Sequence, residues 1–334
     1  MACAWPHCNK RFAATVATTA RAREDEASAN GLIRLDSRQI AFRISRRVRL
    51  SPAVSNPLQE IVALFGYPVA GNPTQYVMEK AFARAGIDWR YLTLEVAPEK
   101  LADAVRGVRA MGFRGGNLTM PHKVAIIPLL DDLTEAARLM GAVNCWKRQE
   151  DRLLGDNTDG KGFLQSLRTL VEPAAKRFVL LGAGGAARSI AVELGLAGAA
   201  EIVVVNRSAE RGHELANLLS DRVHVPAHFV AWEEDFQLPE GIDVLVNATS
   251  IGFGDPQARV PLALDTLRSS VIVADVIINP PETRLLREAK AQECRTLDGL
   301  GMLVNQAAIA FRIWTGLEPD TGTMRDAVEE FLNL

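Results

Sequence analysis

The stretch "RFVLLGAGGAARSIAVELGLAG", residues 177–198, constrains the fold more than any other part of the chain. A short apolar run of strand type ends in glycines, and an amphipathic helical pattern follows directly. Gly182, Gly184 and Ala187 fit G-x-G-x-x-[GA] in that context. The first glycine permits a tight turn, the second lets the backbone approach a pyrophosphate, and the alanine keeps helix and strand close. The helix N-terminus leaves backbone N–H groups free for phosphate oxygens. A glycine-rich turn without a ligand is the plainer alternative, but the flanking strand and helix are what a dinucleotide site requires. The next apolar run, "EIVVVNR", ends at Asn206-Arg207-Ser208. An NAD enzyme usually places Asp or Glu there for the ribose 2′-hydroxyl, and this chain has neither. Arg207 and Arg211 lie four apart at the start of the following helix. Two guanidinium groups suit a 2′-phosphate, so NADP is the expected cofactor.

Further strand-like runs, "HFVAW", "DVLVNAT" and "VIVADVI", extend this unit into a doubly wound sheet over 159–299. Upstream, "EIVALFGYPV", "WRYLTLEV" and "FRGGNLTM" read as strands, with helical patterns from Pro73 and over "PEKLADAVRGVRAMG" and "DDLTEAARLMG". "AVNCWKR" and "DRLLGDNT" read as a hairpin. The alternation predicts an α/β protein with a mostly parallel sheet in its first half. At 334 residues, two domains are expected: one over 59–158, completed by helices at 300–334 that return to it, and the Rossmann-type unit. Residues 1–58 show no core pattern and are expected to be a disordered extension, or a start placed too far upstream.

Net charge is −2, though residues 1–50 hold ten Lys/Arg against four Asp/Glu. No polyanionic partner is indicated, and a nucleic-acid arm is not supported. No run of 18 apolar residues occurs, so no membrane span is expected. Cys3, Cys8, Cys145 and Cys294 are scattered, without a disulfide framework, which fits a reducing cytoplasm. Cys3, His7 and Cys8 have no second ligand pair at zinc spacing, so no metal is expected.

Four polar clusters interrupt apolar surroundings. "GGNLTMPHK" carries Asn117, Thr119 and Lys123; "GAVNC" carries Asn144; "GDNTDG" carries Asp156, Asn157 and Asp159; "DGLGMLVNQAA" carries Gln306. Taken one at a time, each has an ordinary structural explanation: a strand-end turn, a helix cap, a solvated lysine, a helix edge.

Together these segments resemble the shikimate dehydrogenase family, over residues 61–317. "NLTMPHK", "GAVN", "DNTDG", "GAGGAAR", "NRS", "NATSIG" and "DGLGMLVNQA" stand in the family's order. The resemblance implies two α/β domains around a cleft and NADP-dependent interconversion of 3-dehydroshikimate and shikimate in aromatic biosynthesis. It implies Lys123 and Asp159 as the catalytic pair, and Asn117, Thr119, Asn144 and Gln306 as ligands of substrate hydroxyls. It places the cofactor on Gly182, Ala183, Gly184, Gly185, Ala186, Asn206, Arg207, Ser208, Arg211, Thr249, Gly299 and Met302. Hydride transfer to a ketone builds negative charge on the carbonyl oxygen, which a nearby lysine ammonium stabilises and can protonate. Which member of the pair moves the proton is left open.

The departures fall at one end of the ligand. The family carries S-x-S after its first G-x-P-[IV] and a tyrosine after a later strand, and these groups sit at the substrate carboxylate. Here "GYPVAGNPTQ" puts Asn72 and Thr74 at the first place, and "ADVIINP" puts Ile278 at the second. Asn72 followed by Pro73 is also a natural helix start. The expected function is a shikimate-type dehydrogenase, monomeric or homodimeric, with altered recognition of the acid end. A quinate or other cyclic hydroxy-acid dehydrogenase is the alternative, and a non-catalytic binding descendant is the alternative of another class.

Overall fold

The computed structural model describes residues 58–334. The extension expected over 1–58 lies, apart from Leu58, outside the described residues.

Two six-stranded sheets organise the chain. The first contains β1 (Glu60–Gly66), β2 (Trp89–Glu95), β3 (Gly115–Leu118), β4 (Asp132–Leu133), β5 (Cys145–Gln149) and β6 (Arg152–Asp156). Its order is β2-β1-β3-β5-β6-β4. β1 pairs in parallel with β2 and β3, whereas β3–β5 and β5–β6 are antiparallel. β4 pairs in parallel with β6, so the sheet is parallel in most of its pairings, as expected, with an antiparallel insert. The expected hairpin supplies the antiparallel part, because a two-residue turn at Glu150-Asp151 leaves no room for a crossover. The stretch expected as one helix at "DDLTEAARLMG" divides: Asp132–Leu133 pairs with β6, and the helix is only Glu135–Met140, capped by the Thr134 hydroxyl.

The second sheet contains β7 (Arg177–Leu181), β8 (Glu201–Asn206), β9 (Ala227–Ala231), β10 (Val244–Asn247), β11 (Ile272–Asp275) and β12 (Arg295–Leu297). All its pairings are parallel, in the order β12-β11-β10-β7-β8-β9. The strand order reverses between β7 and β10, which creates the crevice where open α/β sheets take their ligands. β12 was not foreseen, since "RTL" is too short to show a period.

Helices cover both sheets. Those that matter for the site are α1 (Thr74–Ala85), α2 (Asp159–Leu167), α3 (Gly185–Leu196), α4 (Ala209–Leu218), α5 (Gly299–Thr315) and α6 (Thr321–Leu332). α5 and α6 bury Leu300, Val304, Phe311, Trp314, Met324 and Val328 in one core with Val62, Leu64, Val77 and Tyr91 of the first sheet and α1. The C-terminal helices thus pack on the first sheet, with Trp314 Nε1 donating to the Trp146 carbonyl at 2.9 Å. α2 runs against both α3 and α5. A Cβ on Gly162 would stand 2.6 Å from Gln306 N and 2.7 Å from the Met302 carbonyl oxygen. Only glycine lets these backbones come so close, and the approach sets Asp159 beside Gln306.

Candidate active site between the two sheets

The C-terminal edge of β3 begins the site. β3 is fully buried, and Asn117 near its end is 5% exposed. Such a side chain must satisfy its polar atoms inside the protein. Its Oδ1 accepts from the Tyr91 hydroxyl at 2.8 Å, and its Nδ2 donates to the Asn144 carbonyl at 3.1 Å. One amide hydrogen stays free for a ligand. Tyr91 itself is fully buried, and burial pushes its hydroxyl well above the usual tyrosine pKa, so it remains a donor. Beyond Thr119 the chain turns through a cis Met120–Pro121 bond into the short helix His122–Ala125, which carries Lys123.

Asp159 opens α2 directly after β6. Lys123 Nζ donates to Asp159 Oδ2 at 2.6 Å, with the two side chains 33% and 20% exposed. Asn144, before β5, donates through Nδ2 to Asp159 Oδ1 at 2.7 Å and to the Thr158 hydroxyl at 3.0 Å. Its Oδ1 accepts from Thr158 N at 2.7 Å. Both amide hydrogens of Asn144 are therefore committed to Asp159 and Thr158. Thr158 is fully buried and also lies 3.4 Å from Gln306 Oε1. It ties Asn144 to Gln306, and its position between two better-marked residues hid that role in the sequence. Gln306 keeps one amide hydrogen, because Nε2 donates once, to the Leu303 carbonyl.

These groups meet in a cavity of about 220 Å³. The first sheet and its loops bring Asn117, Thr119, Lys123 and Asn144 to it, α2 brings Asp159, and α5 brings Gly299, Met302 and Gln306. Asn72 and Thr74 line it from the start of α1, and Val276 and Ile278 from the loop after β11. Asn72 Oδ1 accepts from Thr74 N at 3.0 Å, so the side chain does serve the helix start. Assigned helix begins at Thr74, one residue later than expected, although Pro73 already has helical angles. The loop carrying Ile278 is fastened from below. Asp275, 2% exposed, accepts from the Thr283 hydroxyl at 2.8 Å, Asn247 Nδ2 at 3.1 Å and Ile277 N at 3.1 Å. Burial raises its carboxyl pKa, against the pull of those three bonds.

The second sheet supplies a different surface. Gly182 has φ +108°, a conformation side chains rarely adopt, and a Cβ there would lie 3.0 Å from the Ala248 carbonyl oxygen. Ala183 and Ala186 are half-buried, while Gly184 and Gly185 face open space, with nothing within 4 Å of a would-be Cβ. Ala187 is fully buried under the sheet. The N-terminus of α3 is thus bare and approachable, as a pyrophosphate needs. At the end of β8, Asn206 Nδ2 donates to the Ser208 carbonyl at 2.9 Å, and the Ser208 hydroxyl caps α4 by accepting from Arg211 N. Arg207 and Arg211 are exposed, and neither guanidinium has a hydrogen bond or ion pair among the described residues. Most arginines here are paired, so two free ones at this strand end form an anion-ready pair. The Thr249 hydroxyl donates to Asn247 Oδ1 at 2.7 Å after β10.

Comparison with known proteins identifies the family. The family model described as shikimate dehydrogenase substrate binding domain matches residues 64–146. The shikimate/quinate 5-dehydrogenase model matches 166–251, and the shikimate 5′-dehydrogenase C-terminal domain matches 299–329. A shikimate dehydrogenase (NADP(+)) of Geobacter metallireducens is 43% identical over 274 residues, 80% of this chain and 95% of that protein. The ligand-free crystal structure of 5-ketofructose reductase of Gluconobacter sp. is 50% identical, with a TM-score of 0.81, covering 82% of this chain and 99% of that one. Shikimate 5-dehydrogenase of Thermus thermophilus, solved with NADP(H) and shikimate, is 35% identical, with a TM-score of 0.71, over 82% and 100%. With its two α/β lobes, its paired lysine and aspartate in the cleft and relatives matched over nearly their whole length, the chain belongs to the shikimate dehydrogenase family.

Proposed function

We propose that the protein is an NADP-dependent oxidoreductase that interconverts a ketone and a secondary alcohol on a small polyhydroxylated compound, with 3-dehydroshikimate and shikimate as the first pair to consider. The observation that carries this reading is the 2.6 Å Lys123–Asp159 contact inside a cavity whose other polar lining, Asn72, Thr74, Asn117, Thr119, Asn144 and Gln306, is neutral. The curated relatives named as NADP(+) shikimate dehydrogenases support it.

The residues present fit the cofactor. The open backbone at Gly184 and Gly185 would take the pyrophosphate, and Arg207 and Arg211, unpaired among the described residues, would take the 2′-phosphate, beside Asn206 and Ser208. Thr249, Gly299 and Met302 would hold the nicotinamide end. NADPH, when bound, supplies the hydride. The Lys123 ammonium faces the oxygen on which negative charge grows, stabilises it and can release a proton from Nζ to it. Asp159 orients that ammonium, and Asn144 orients Asp159 in turn through its 2.7 Å bond. Asn117 and Gln306 each have one amide hydrogen left for substrate hydroxyls, and Thr119 offers its own hydroxyl.

A second substrate reading, reduction of a keto-sugar, is favoured by the 50% identity to 5-ketofructose reductase. In either case residues 59–158 with 300–334 form the substrate domain, and 159–299 form the nucleotide domain. No helix among the described residues is long and apolar enough to cross a membrane, and we place the protein in the cytoplasm, as a monomer or homodimer. The test is NADPH oxidation with 3-dehydroshikimate and with 5-ketofructose, each repeated with NADH. Turnover with NADPH supports the reading; no turnover with any ketone, while NADPH binds, would leave a binding protein and overturn it.

A further inference from the structure

Resting on the oxidoreductase reading above, and choosing its keto-sugar alternative over the shikimate pair, we infer that the substrate is an uncharged polyhydroxylated ketone, and that Asn72, Thr74 and Ile278 make the pocket select against a carboxylate. The shortage of free neutral donors at Asn72, Thr74 and Ile278, in a cavity with no unpaired cation, carries this. Lys123 is the one cation among the residues lining it, and its ammonium is bound to Asp159 at 2.6 Å. The two charges cancel, so a substrate carboxylate would enter the cleft without an unpaired cation to meet it. Moving a carboxylate out of water is costly unless it is paired or well hydrogen-bonded.

The donors that could compensate are few. Asn72 Oδ1 is already used by Thr74 N, so this side chain offers only its Nδ2. That bond also occupies Thr74 N, one of the free N–H groups by which the start of α1 would hold an anion. Thr74 offers one hydroxyl, with a methyl beside it that narrows the wall. Ile278 has no polar atom in its side chain. It is half-buried and packs against the apolar core of α1 and α5, and its loop is pinned at the buried Asp275–Thr283 bond of 2.8 Å. It therefore presents a fixed apolar wall. By contrast, Asn117 and Gln306 keep single amide hydrogens and Thr119 its hydroxyl, groups matched to neutral hydroxyls, each of which can donate and accept.

The test compares specificity constants with NADPH for 3-dehydroshikimate and for 5-ketofructose, and with NADP for shikimate and its neutral carboxamide. The neutral keto-sugar should be preferred by about tenfold or more, the factor expected from one charge-assisted bond that a carboxylate fails to make. The carboxamide should match or exceed shikimate. The combined variant Asn72→Ser, Thr74→Ser, Ile278→Tyr should move preference toward the carboxylate compounds by a similar factor. Because the larger Tyr could disturb folding, Asn72→Ser with Thr74→Ser is measured separately, with thermal melts for both, and the wild-type comparison stands without either. Preference for 3-dehydroshikimate over the keto-sugar, with shikimate at least tenfold better than its carboxamide, would overturn the inference while leaving the oxidoreductase reading intact. No NADPH oxidation with either ketone would remove both.

Discussion

Replacing Lys123 and Asp159 by Ala, singly and together, asks whether the two residues act as one unit. Lys123 Nζ sits 2.6 Å from Asp159 Oδ2, and Asn144 Nδ2 sits 2.7 Å from Asp159 Oδ1. Both carboxylate oxygens are committed, and the ammonium is held by the carboxylate. In Lys123→Ala the carboxylate keeps its bond to Asn144 and leaves the cavity with a net negative charge, which opposes an oxyanion. In Asp159→Ala the ammonium loses its orientation. Loss of a general acid typically costs 10²–10⁴-fold, or about 3–5 kcal/mol at 1.36 kcal/mol per tenfold. If Asp159 acts only through Lys123, the double variant should be no more than about threefold slower than the slower single variant, as for residues that work as a unit. Steady-state NADPH oxidation gives kcat and kcat/KM for all four proteins. Quenching of NADPH fluorescence checks that each variant still binds cofactor. Losses that multiply in the double variant would refute the shared role, and so would a Lys123→Ala rate within about threefold of wild type.

Four further outcomes follow from the geometry. Arg207→Ala should raise the KM for NADP by about tenfold or more with little change for NAD, since a charge-assisted partner of the 2′-phosphate is lost; equal effects on both cofactors would rule out that contact. Gly162→Ala should lower stability by about 1–3 kcal/mol, because the new Cβ meets the α5 backbone at 2.6–2.7 Å, and this outweighs alanine's helix preference of about 1 kcal/mol; a thermal melt that rises instead would show that the clash is relieved. Tyr91→Phe leaves Asn117 Oδ1 buried without its donor and should cost about 1–3 kcal/mol, with KM for substrate rising more than kcat falls; unchanged melting and kinetics would count against it. Glu193, 7% exposed with Oε1 unpartnered, has its pKa raised above 4.5 chiefly by burial. Its contribution to stability is therefore full below about pH 4.5 and is lost as pH rises through the raised folded-state value. Glu193→Gln should remove that decline and raise stability at neutral pH by about 1 kcal/mol, or roughly 2–4 °C in Tm; a parallel decline with pH in the variant would assign it to other groups.

Local chemistry wrote the nucleotide lobe into the sequence. A continuous apolar run of strand length, a glycine needed for positive φ at 182, a bare helix start and two arginines at the next strand end are features of neighbouring residues, so they can be read without a fold. The same holds for Asn72 at the start of α1 and for the β5–β6 hairpin. Tertiary structure decided the rest. The first sheet is mixed because a two-residue turn reverses the chain inside it, and the three-residue β12 gains its identity only from pairing with β11. Lys123 and Asp159 are 36 positions apart and Gln306 lies 147 beyond Asp159. Pairing of β3, β5 and β6 brings Lys123 to Asp159, and the close packing of α2 at Gly162 against α5 adds Gln306 to the same cavity. Thr158 and Tyr91 carry no signal of their own. Each matters because burial forces its hydroxyl to find a partner, and the fold supplies Asn144 and Asn117 as those partners. Ile278 was legible as a departure from a motif, but that it forms a fixed apolar wall depends on the buried Asp275 bonds that hold its loop. Short-range geometry is encoded locally, whereas the charge balance of a cleft is a sum over residues that meet only after folding.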